Sequence, residues 1–284
     1  MLAMTLIYKF PHEIKTNAAG NQALVNFYHY CCGYTNTWIT MDWSGLTYMD
    51  ANLSAVVLAM VHKLKKDRGL KFYLNYQDLK GPMNIFWRNG LAHYIYNTGK
   101  QAADERDSTI PIKAFKTADV DSFANYIEKQ LLKHRGVEDV KFGDKEKVKN
   151  SYFEIFNNIE IHAQTDMPVF ACGQLFPQQN KLIFTLVDLG VGFLKKIREF
   201  TKDTDKITTA VDAISWAIKG HSTKTAAAGG TGLKKILFYC MKNNGCFHIV
   251  SDDCYWQFDG TISNAKIANP FVGATIHLIF SYNN

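Results

Sequence analysis

The stretch KLIFTLVDLGVG, residues 181–192, decides the predicted fold of this chain. Its first seven residues are almost wholly apolar, which is typical of a buried strand. An Asp and a Gly-x-Gly turn follow at once, at Asp188, Gly190 and Gly192. Glycines allow backbone conformations that other residues avoid. The sequence therefore predicts a tight turn that holds a carboxylate beside a pocket.

Two other interpretations of this turn were weighed. A dinucleotide-binding fingerprint needs a third Gly three residues after the second, where Lys195 stands. That fingerprint also places its glycines directly after the strand, at the opening of a helix. A plain β-turn without a ligand is the other alternative.

A second glycine-rich stretch, GGTGL at residues 229–233, precedes a helical pattern over 234–242. Backbone N–H groups at a helix start can approach phosphate, and the helix dipole favours the negative charge. No Gly-Lys-Ser/Thr follows, so this is not a Walker A loop. The alternative is a flexible segment that leads into a helix. The residues of interest here are Gly230, Thr231, Gly232 and Leu233.

A helix predicted from 144 to 164 carries a polar stripe beside its apolar face. Glu154, Asn158 and His162 are spaced four residues apart, so they share one side of the helix. A carboxylate can act as a general base, and an amide oxygen is a ligand suited to Mg²⁺. A solvated polar face is the alternative interpretation.

In this order and these places, the three motifs resemble the N-box and the two glycine boxes of the GHKL (histidine-kinase-like) ATPases. The resemblance covers residues 110–284. An N-box that begins with Glu is similar to that of anti-sigma-factor serine kinases and hydrolysing members, rather than that of sensor histidine kinases. The resemblance implies the cofactors ATP and Mg²⁺. It makes Glu154 the general base, Asn158 the Mg²⁺ ligand and Asp188 the acceptor for the adenine amine.

The same resemblance implies further ligand contacts. The second glycine box would cradle phosphates, residues 193–229 would form the ATP lid, and Thr275 would lie beside the adenine. Ile161 stands where such kinases often keep a phosphate-contacting Lys. Lys224, in the small and polar segment 221–230, is therefore expected to reach the phosphates when that segment orders.

The first half alternates strand and helix signals, with strands at 38–43 and 71–75 around a helix at 51–66. Its stretch MDWSGLTYMDANLS, residues 41–54, resembles a STAS domain, the partner module of anti-sigma systems. Ala51 stands where regulated members carry a phosphorylatable Ser, so the resemblance implies binding of a protein partner without that switch. An unrelated α/β module is the alternative.

The sequence thus predicts an α/β protein of two domains. A STAS-like domain would span 1–104, and a GHKL (Bergerat) domain would span 105–284, with helices on one face of a mixed sheet. The polar stretch 99–109 would link them. The stretch HEIKT at 12–16 resembles the phosphoacceptor box of sensor kinases, but Pro11 and Gly20 argue against a long helix there.

Composition excludes several classes of function. The net charge is +6, without a run of five or six like charges, so nucleic acid is not expected as the main ligand. The six cysteines form no CxxC pair, which argues against a zinc site. The chain shows neither a secretory signal nor an apolar run of about 18 residues, so we expect a cytoplasmic protein without membrane contact.

The expected function is that of an ATP-binding regulatory protein that hydrolyses ATP or phosphorylates a protein partner. A non-catalytic, ATP-responsive interaction module is the alternative.

Overall fold

The computed structural model describes residues 6–98, 102–162, 165–202, 206–221 and 231–282. The strands are β1 (Leu6–Lys9), β2 (Glu13–Ile14), β3 (Trp38–Asp42), β4 (Tyr48–Met49), β5 (Lys71–Leu74), β6 (Thr109–Phe115), β7 (Val169–Phe176), β8 (Lys181–Asp188), β9 (Cys246–Phe258) and β10 (Ile262–Ser281). The helices are α1 (Ala18–Cys32), α2 (Ser54–Arg68), α3 (Ile85–Arg88), α4 (Leu91–Tyr96), α5 (Val120–Tyr126), α6 (Phe142–His162), α7 (Gly192–Thr201), α8 (Ala210–Ile218) and α9 (Gly232–Asn243).

The first half contains a three-stranded parallel sheet in the order β1-β3-β5, which is also the chain order. Helices α1 and α2 connect successive strands, as the βαβ pattern predicts. Helix α2 ends at Gly69, whose left-handed φ of 63° suits glycine, and basic residues occupy its last turn. The chain is α/β, as predicted. Neither the STAS-like nor the GHKL assignment follows from that class alone.

Helix α1 was not predicted. Asn17 caps it by accepting the N–H of Gly20 at 2.9 Å, and Gly20 lies in the first turn. A Cβ on Gly20 would lie 1.9 Å from the Lys15 carbonyl oxygen, so the glycine that argued against a helix permits this close approach. His12 precedes the helix and lies outside it, in agreement with the interpretation that its box is not part of a long helix.

The second half forms a five-stranded sheet in the order β6-β7-β8-β10-β9. Every pairing between neighbours is antiparallel, so the predicted mixed sheet is wrong. Short connections explain two of these pairings. A short turn over Pro177–Gln179 joins β7 to β8, and a tight turn containing Gly260 joins β9 to β10. Connections this short can link only antiparallel neighbours.

Both faces of this sheet are buried. On one face, Phe184, Leu186 and Ile276 belong to a core formed with the helices of the second half. On the other, Val187 and Phe170 belong to a core shared with α1 and α2 of the first half. The two halves therefore pack around one sheet, and the boundary at 104/105 stays a prediction.

The polar stretch that was expected to link the halves is anchored where the structure describes it. Asp104 accepts hydrogen bonds from Thr109 and Ser108 and forms an ion pair with Arg88 at 2.7 Å. Among the described residues, none of the helices has the length and apolar character needed to cross a bilayer.

Candidate functional site

The candidate site is built on the antiparallel pair α6 and α9. The apolar face of α6 is buried through Tyr152 and Phe156, and Tyr152 packs edge-on against Phe184 of β8 at 5.2 Å. Gly232 opens α9 directly against α6. A Cβ on Gly232 would lie 3.1 Å from the Ser151 carbonyl oxygen and 3.3 Å from Cβ of Glu154. The second glycine box is therefore in direct contact with the N-box helix.

Glu154 caps the start of α9. Its carboxylate accepts the Thr231 N–H at 2.6 Å and the Thr231 hydroxyl at 3.1 Å, and Lys235 Nζ lies 3.5 Å away. Desolvation raises the pKa of Glu154, but the hydrogen bonds from Thr231 and the charge of Lys235 outweigh it and leave the pKa lowered. Glu154 is therefore ionised at neutral pH and held against the helix N-terminus.

The start of α9 is a position that attracts negative charge. The first turn of α9 attracts an anion, because its N–H groups are free of helical partners and the helix dipole favours negative charge there. In the structure that anion is the Glu154 carboxylate. Leu233, the last residue of the glycine box, is buried in the core beneath the site. The Leu233 side chain therefore stabilises the start of α9 by packing, and only its backbone N–H is left for a ligand.

Asn158 lies one turn beyond Glu154 on the same side of α6 and is half-buried. Its side-chain amide has no hydrogen-bond partner among the described residues. Phe156 packs on Phe115 of β6 at 6.2 Å, and Phe115 pairs with Val169, beside the Phe170–Val187 pair. Helix α6 therefore runs in the same direction as β8 and brings Asn158 towards the end of the sheet that carries Asp188.

Asp188 lies at the end of β8, and its Oδ1 accepts the Gly190 N–H at 2.9 Å. Desolvation raises the pKa of Asp188 to about 6, and the Gly190 hydrogen bond only partly opposes this. A carboxyl group with a raised pKa at a strand end is the kind of group that occurs at functional sites. The predicted tight turn is present, with a carboxylate at its base.

Gly192 begins α7 with a φ of 76°, which few residues other than glycine adopt. A Cβ there would lie 2.9 Å from the Ser251 hydroxyl and 3.0 Å from an Asp252 oxygen. These two side chains cap α7 by accepting N–H groups at 3.1 and 3.2 Å. Gly192 thus places the helix start on β9 rather than on open solvent.

Thr275 is not brought to this site. It pairs with Val187 across β8 and β10, whereas Asp188 pairs with Ala274. Directly paired side chains share a face, and successive residues alternate. Thr275 therefore faces the first half of the chain, fully buried, and its hydroxyl has no hydrogen-bond partner among the described residues. Thr275 and Asp188 therefore lie on opposite faces of the sheet, so they cannot both face an adenine bound on the side of Asp188.

The proposed lid is only partly described. Helices α7 and α8 belong to the core through Ile197 and Ile214, so they are packed elements. His221 follows them, with its ring 5.1 Å from that of Trp216. Lys224 and Gly230 lie outside the described residues. No cluster of three or more His, Cys, Asp or Glu side chains that could hold a metal occurs in the described part of the chain.

Part of the stretch that resembles a STAS domain packs on the chain's own five-stranded sheet. Ala51 is fully buried, and its N–H donates to Oε1 of Gln174 on β7. Asn52 donates to the Thr185 hydroxyl on β8 at 2.9 Å. Ala51 and Asn52, within the stretch that resembles a STAS domain, are therefore covered by this chain's own sheet.

Three groups at these sites were missed by the sequence analysis. Lys235 follows the glycine box by one turn, but in the sequence it is one of several scattered Lys pairs. Asp252 interrupts an apolar strand, which was a usable signal of a special role. The link from Asn52 to Thr185 and on to His277 joins residues far apart in the chain, so no sequence pattern points to it.

The chain was compared with known proteins. No protein-family model matches it, and no curated protein matches it in sequence. The functional assignment therefore depends on the geometry of the site.

Proposed function

We propose that this protein binds ATP with Mg²⁺ at the site formed by Glu154, Asn158 and Asp188, and that it hydrolyses ATP or transfers its γ-phosphoryl group to a protein. The observation that carries the proposal is the contact of the Glu154 carboxylate with the Thr231 N–H at the start of α9. A glycine-containing helix start beside a carboxylate offers phosphate-binding N–H groups and a general base in one place.

Each residue has a defined role in this proposal. Asp188 accepts a hydrogen bond from the adenine amine, and the N–H groups of Thr231 and Gly232 bind phosphate oxygens. Glu154 moves off the helix start when phosphate arrives. It then accepts a proton from the attacking water or hydroxyl, whose oxygen bonds to the γ-phosphorus as the bond to the β–γ bridging oxygen breaks. Asn158 would hold Mg²⁺, which neutralises phosphate charge.

Titration calorimetry with Mg·ATP tests the adenine contact. Asp188→Asn should weaken ATP binding by about 10- to 100-fold, because a charged hydrogen-bond acceptor contributes about 1.5–3 kcal/mol. The Asn amide can donate to the O6 of guanine, so the same variant should gain relative affinity for GTP. Asp253→Asn, a surface change on β9, is the matched control. Unchanged ATP affinity in Asp188→Asn would exclude this role.

A second candidate function is a non-catalytic module that responds to ATP. Two observations favour it. The Glu154 carboxylate is already engaged by Thr231 and Lys235, and its lowered pKa makes it a weak base. In addition, β8 carries Asp188 at its end and Thr185 on the opposite face, where it contacts Asn52 of the first half. Strand β8 could then pass nucleotide occupancy to the first half.

The two functions differ in their products. A phosphoryl-transfer enzyme releases phosphate or labels a protein when supplied with ATP carrying a labelled γ-phosphate. A responsive module does neither, yet Mg·ATP changes the hydrogen exchange of amides around Asn52. Phosphate release or protein labelling without altered hydrogen exchange around Asn52 favours the enzyme. Altered hydrogen exchange without phosphate release or labelling favours the responsive module.

A further inference from the structure

The parallel sheet of the first half is covered on one face only. Right-handed crossovers place both α1 and α2 on the same side of strands that follow the chain order. That side buries Ile39, Met41 and Phe72. All-parallel sheets are usually covered on both faces. Among the described residues nothing covers the second face, which is called the outer face below.

The outer face combines aromatic side chains with lysines. Trp38 is 42% and Tyr73 49% exposed. The register places Trp38 beside Lys71 and aligns Tyr73 with Thr40 and Ile7 in the next row. From strand spacing, Trp38 and Tyr73 lie about 8 Å apart on the diagonal. The outer face consists of Ile7, Lys9, Trp38, Thr40, Lys71 and Tyr73, with Asp42 at one end.

Charge on the outer face favours an anionic partner over a protein. The Lys71 ammonium lies 5.6 Å from the centre of the Trp38 ring, and Lys9 is exposed at the other end of the face. Cores of protein interfaces are depleted in Lys and Asp, and both interrupt the apolar residues here. A second copy of the chain would also bring further lysines to a face that already carries two.

Exposed aromatic rings flanked by lysines suit a single-stranded nucleic acid. Bases stack on aromatic rings whatever their sequence, and phosphates pair with cations beside them. Sheets that present two or three such rings bind single-stranded RNA in this way. We propose that the outer face binds single-stranded RNA, with bases stacked on Trp38 and Tyr73 and phosphates paired with Lys9 and Lys71.

Asp42 selects RNA rather than DNA in this proposal. It is the Cα partner of Lys9, and its Oδ1 accepts hydrogen bonds from the N–H and hydroxyl of Ser44. These bonds hold the pKa of Asp42 below its usual value, so it stays ionised. A carboxylate repels phosphate but accepts a hydrogen bond from a 2′-hydroxyl, which RNA has and DNA lacks.

Fluorescence anisotropy with a labelled oligouridylate of about twelve nucleotides tests the proposal on the whole chain. Trp38→Ala and Tyr73→Ala should each weaken binding by roughly tenfold or more, since stacking contributes about 1–3 kcal/mol per base. The double variant Lys9→Ala, Lys71→Ala should weaken binding and reduce its salt dependence. Phe238→Ala, equally accessible on α9, is the control and should bind as the wild type does.

Several results would overturn the proposal. Wild-type protein that leaves the anisotropy unchanged does not bind RNA. Undiminished binding by Trp38→Ala and Tyr73→Ala would locate the RNA elsewhere. Equal or tighter binding of the matching oligothymidylate would remove the role of Asp42. A wild-type dimer that dissociates in Trp38→Ala, seen by sedimentation, would assign the face to self-association.

Discussion

The two faces of the five-stranded sheet handle polar groups differently. The face under α6 and α9 is apolar through its centre, with Asp188 at its edge. The opposite face buries polar groups at its centre, where Thr185 contacts Asn52 at 2.9 Å and His277 at 2.8 Å. Polar groups at an edge remain accessible to a ligand. Polar groups at the centre are costly when unpaired, and most of the hydrogen-bonding capacity of Thr185 and Asn52 is satisfied there.

This comparison shows how one strand serves two purposes. Because successive residues of β8 point to opposite faces, Leu186 and Asp188 face the candidate site while Thr185 and Val187 face the first half. Pairing of Asn52 with Thr185 also favours one docking position of the first half, since a shifted position would break this hydrogen bond. The sheet is therefore both the floor of the candidate site and the docking surface for the first half.

The largest effect is expected at Glu154, on the helix α6 that covers the apolar face of the sheet. Glu154→Gln keeps an oxygen that accepts the Thr231 N–H but cannot take a proton at neutral pH. We expect phosphate release at saturating Mg·ATP to fall by about 10²- to 10⁴-fold while ATP binding persists. Glu146→Gln on the same helix, where Glu146 forms an ion pair with Lys149 at 3.8 Å, should turn over normally. Full turnover in Glu154→Gln would leave the non-catalytic module, or a different base, as the better assignment.

The next effect tests the centre of the opposite face. Thr185→Val preserves shape but leaves His277 Nδ1 without its partner and removes an acceptor from Asn52. Unfolding in urea should show a loss of about 2–4 kcal/mol, since each unpaired buried group costs about 1–3 kcal/mol. A loss below about 0.5 kcal/mol would mean that this network does not hold the halves together.

A smaller effect concerns Asp188 and pH. Its folded pKa of about 6 lies above the usual 3.8, so the folded chain binds this proton more tightly than the unfolded chain. Stability from this group is complete below about pH 4 and is lost as pH rises to 6. Asp188→Asn should therefore be more stable than wild type at pH 8, by about 3 kcal/mol, and similar near pH 4. A difference that does not vary with pH would contradict the raised pKa.

The same titration should appear in ligand binding. Because the ionised Asp188 accepts the adenine amine, ATP affinity should fall below pH 6 by up to about tenfold per unit. Asp188→Asn should lose this dependence. Calorimetry at several pH values measures both, and a parallel fall in the variant would assign the titration to another group.

The smallest effect is expected at Thr275, which lies on the face opposite to Asp188. Thr275→Val removes a buried hydroxyl that has no partner among the described residues, so stability should be unchanged or slightly improved. ATP affinity should also be unchanged, because Thr275 and Asp188 lie on opposite faces. A marked loss of ATP affinity in this variant would mean that Thr275 contacts the nucleotide after all.

Much of the local structure could be predicted from the sequence. The apolar run before Asp188 is a buried strand, and the polar stripe at Glu154 lies on a helix whose other side packs on the core. These predictions succeeded because strand and helix periodicity reflect burial of nearby residues. Helix α1 was missed because glycine has a low helix propensity, which made Gly20 argue against a helix. In the structure Gly20 is needed there, since a Cβ would collide with the Lys15 backbone.

By itself the sequence determined the α/β class, the order of its main elements and the polar residues available for chemistry. The tertiary structure decided which of those residues meet. Strand register turned Thr275 away from Asp188, and short turns made the β7–β8 and β9–β10 pairings antiparallel. Packing of the halves buried Ala51 against β7, and parallel pairing placed Trp38 and Tyr73 on the same face of the sheet. Contacts between residues distant in the chain depend on register and docking, which local patterns do not encode.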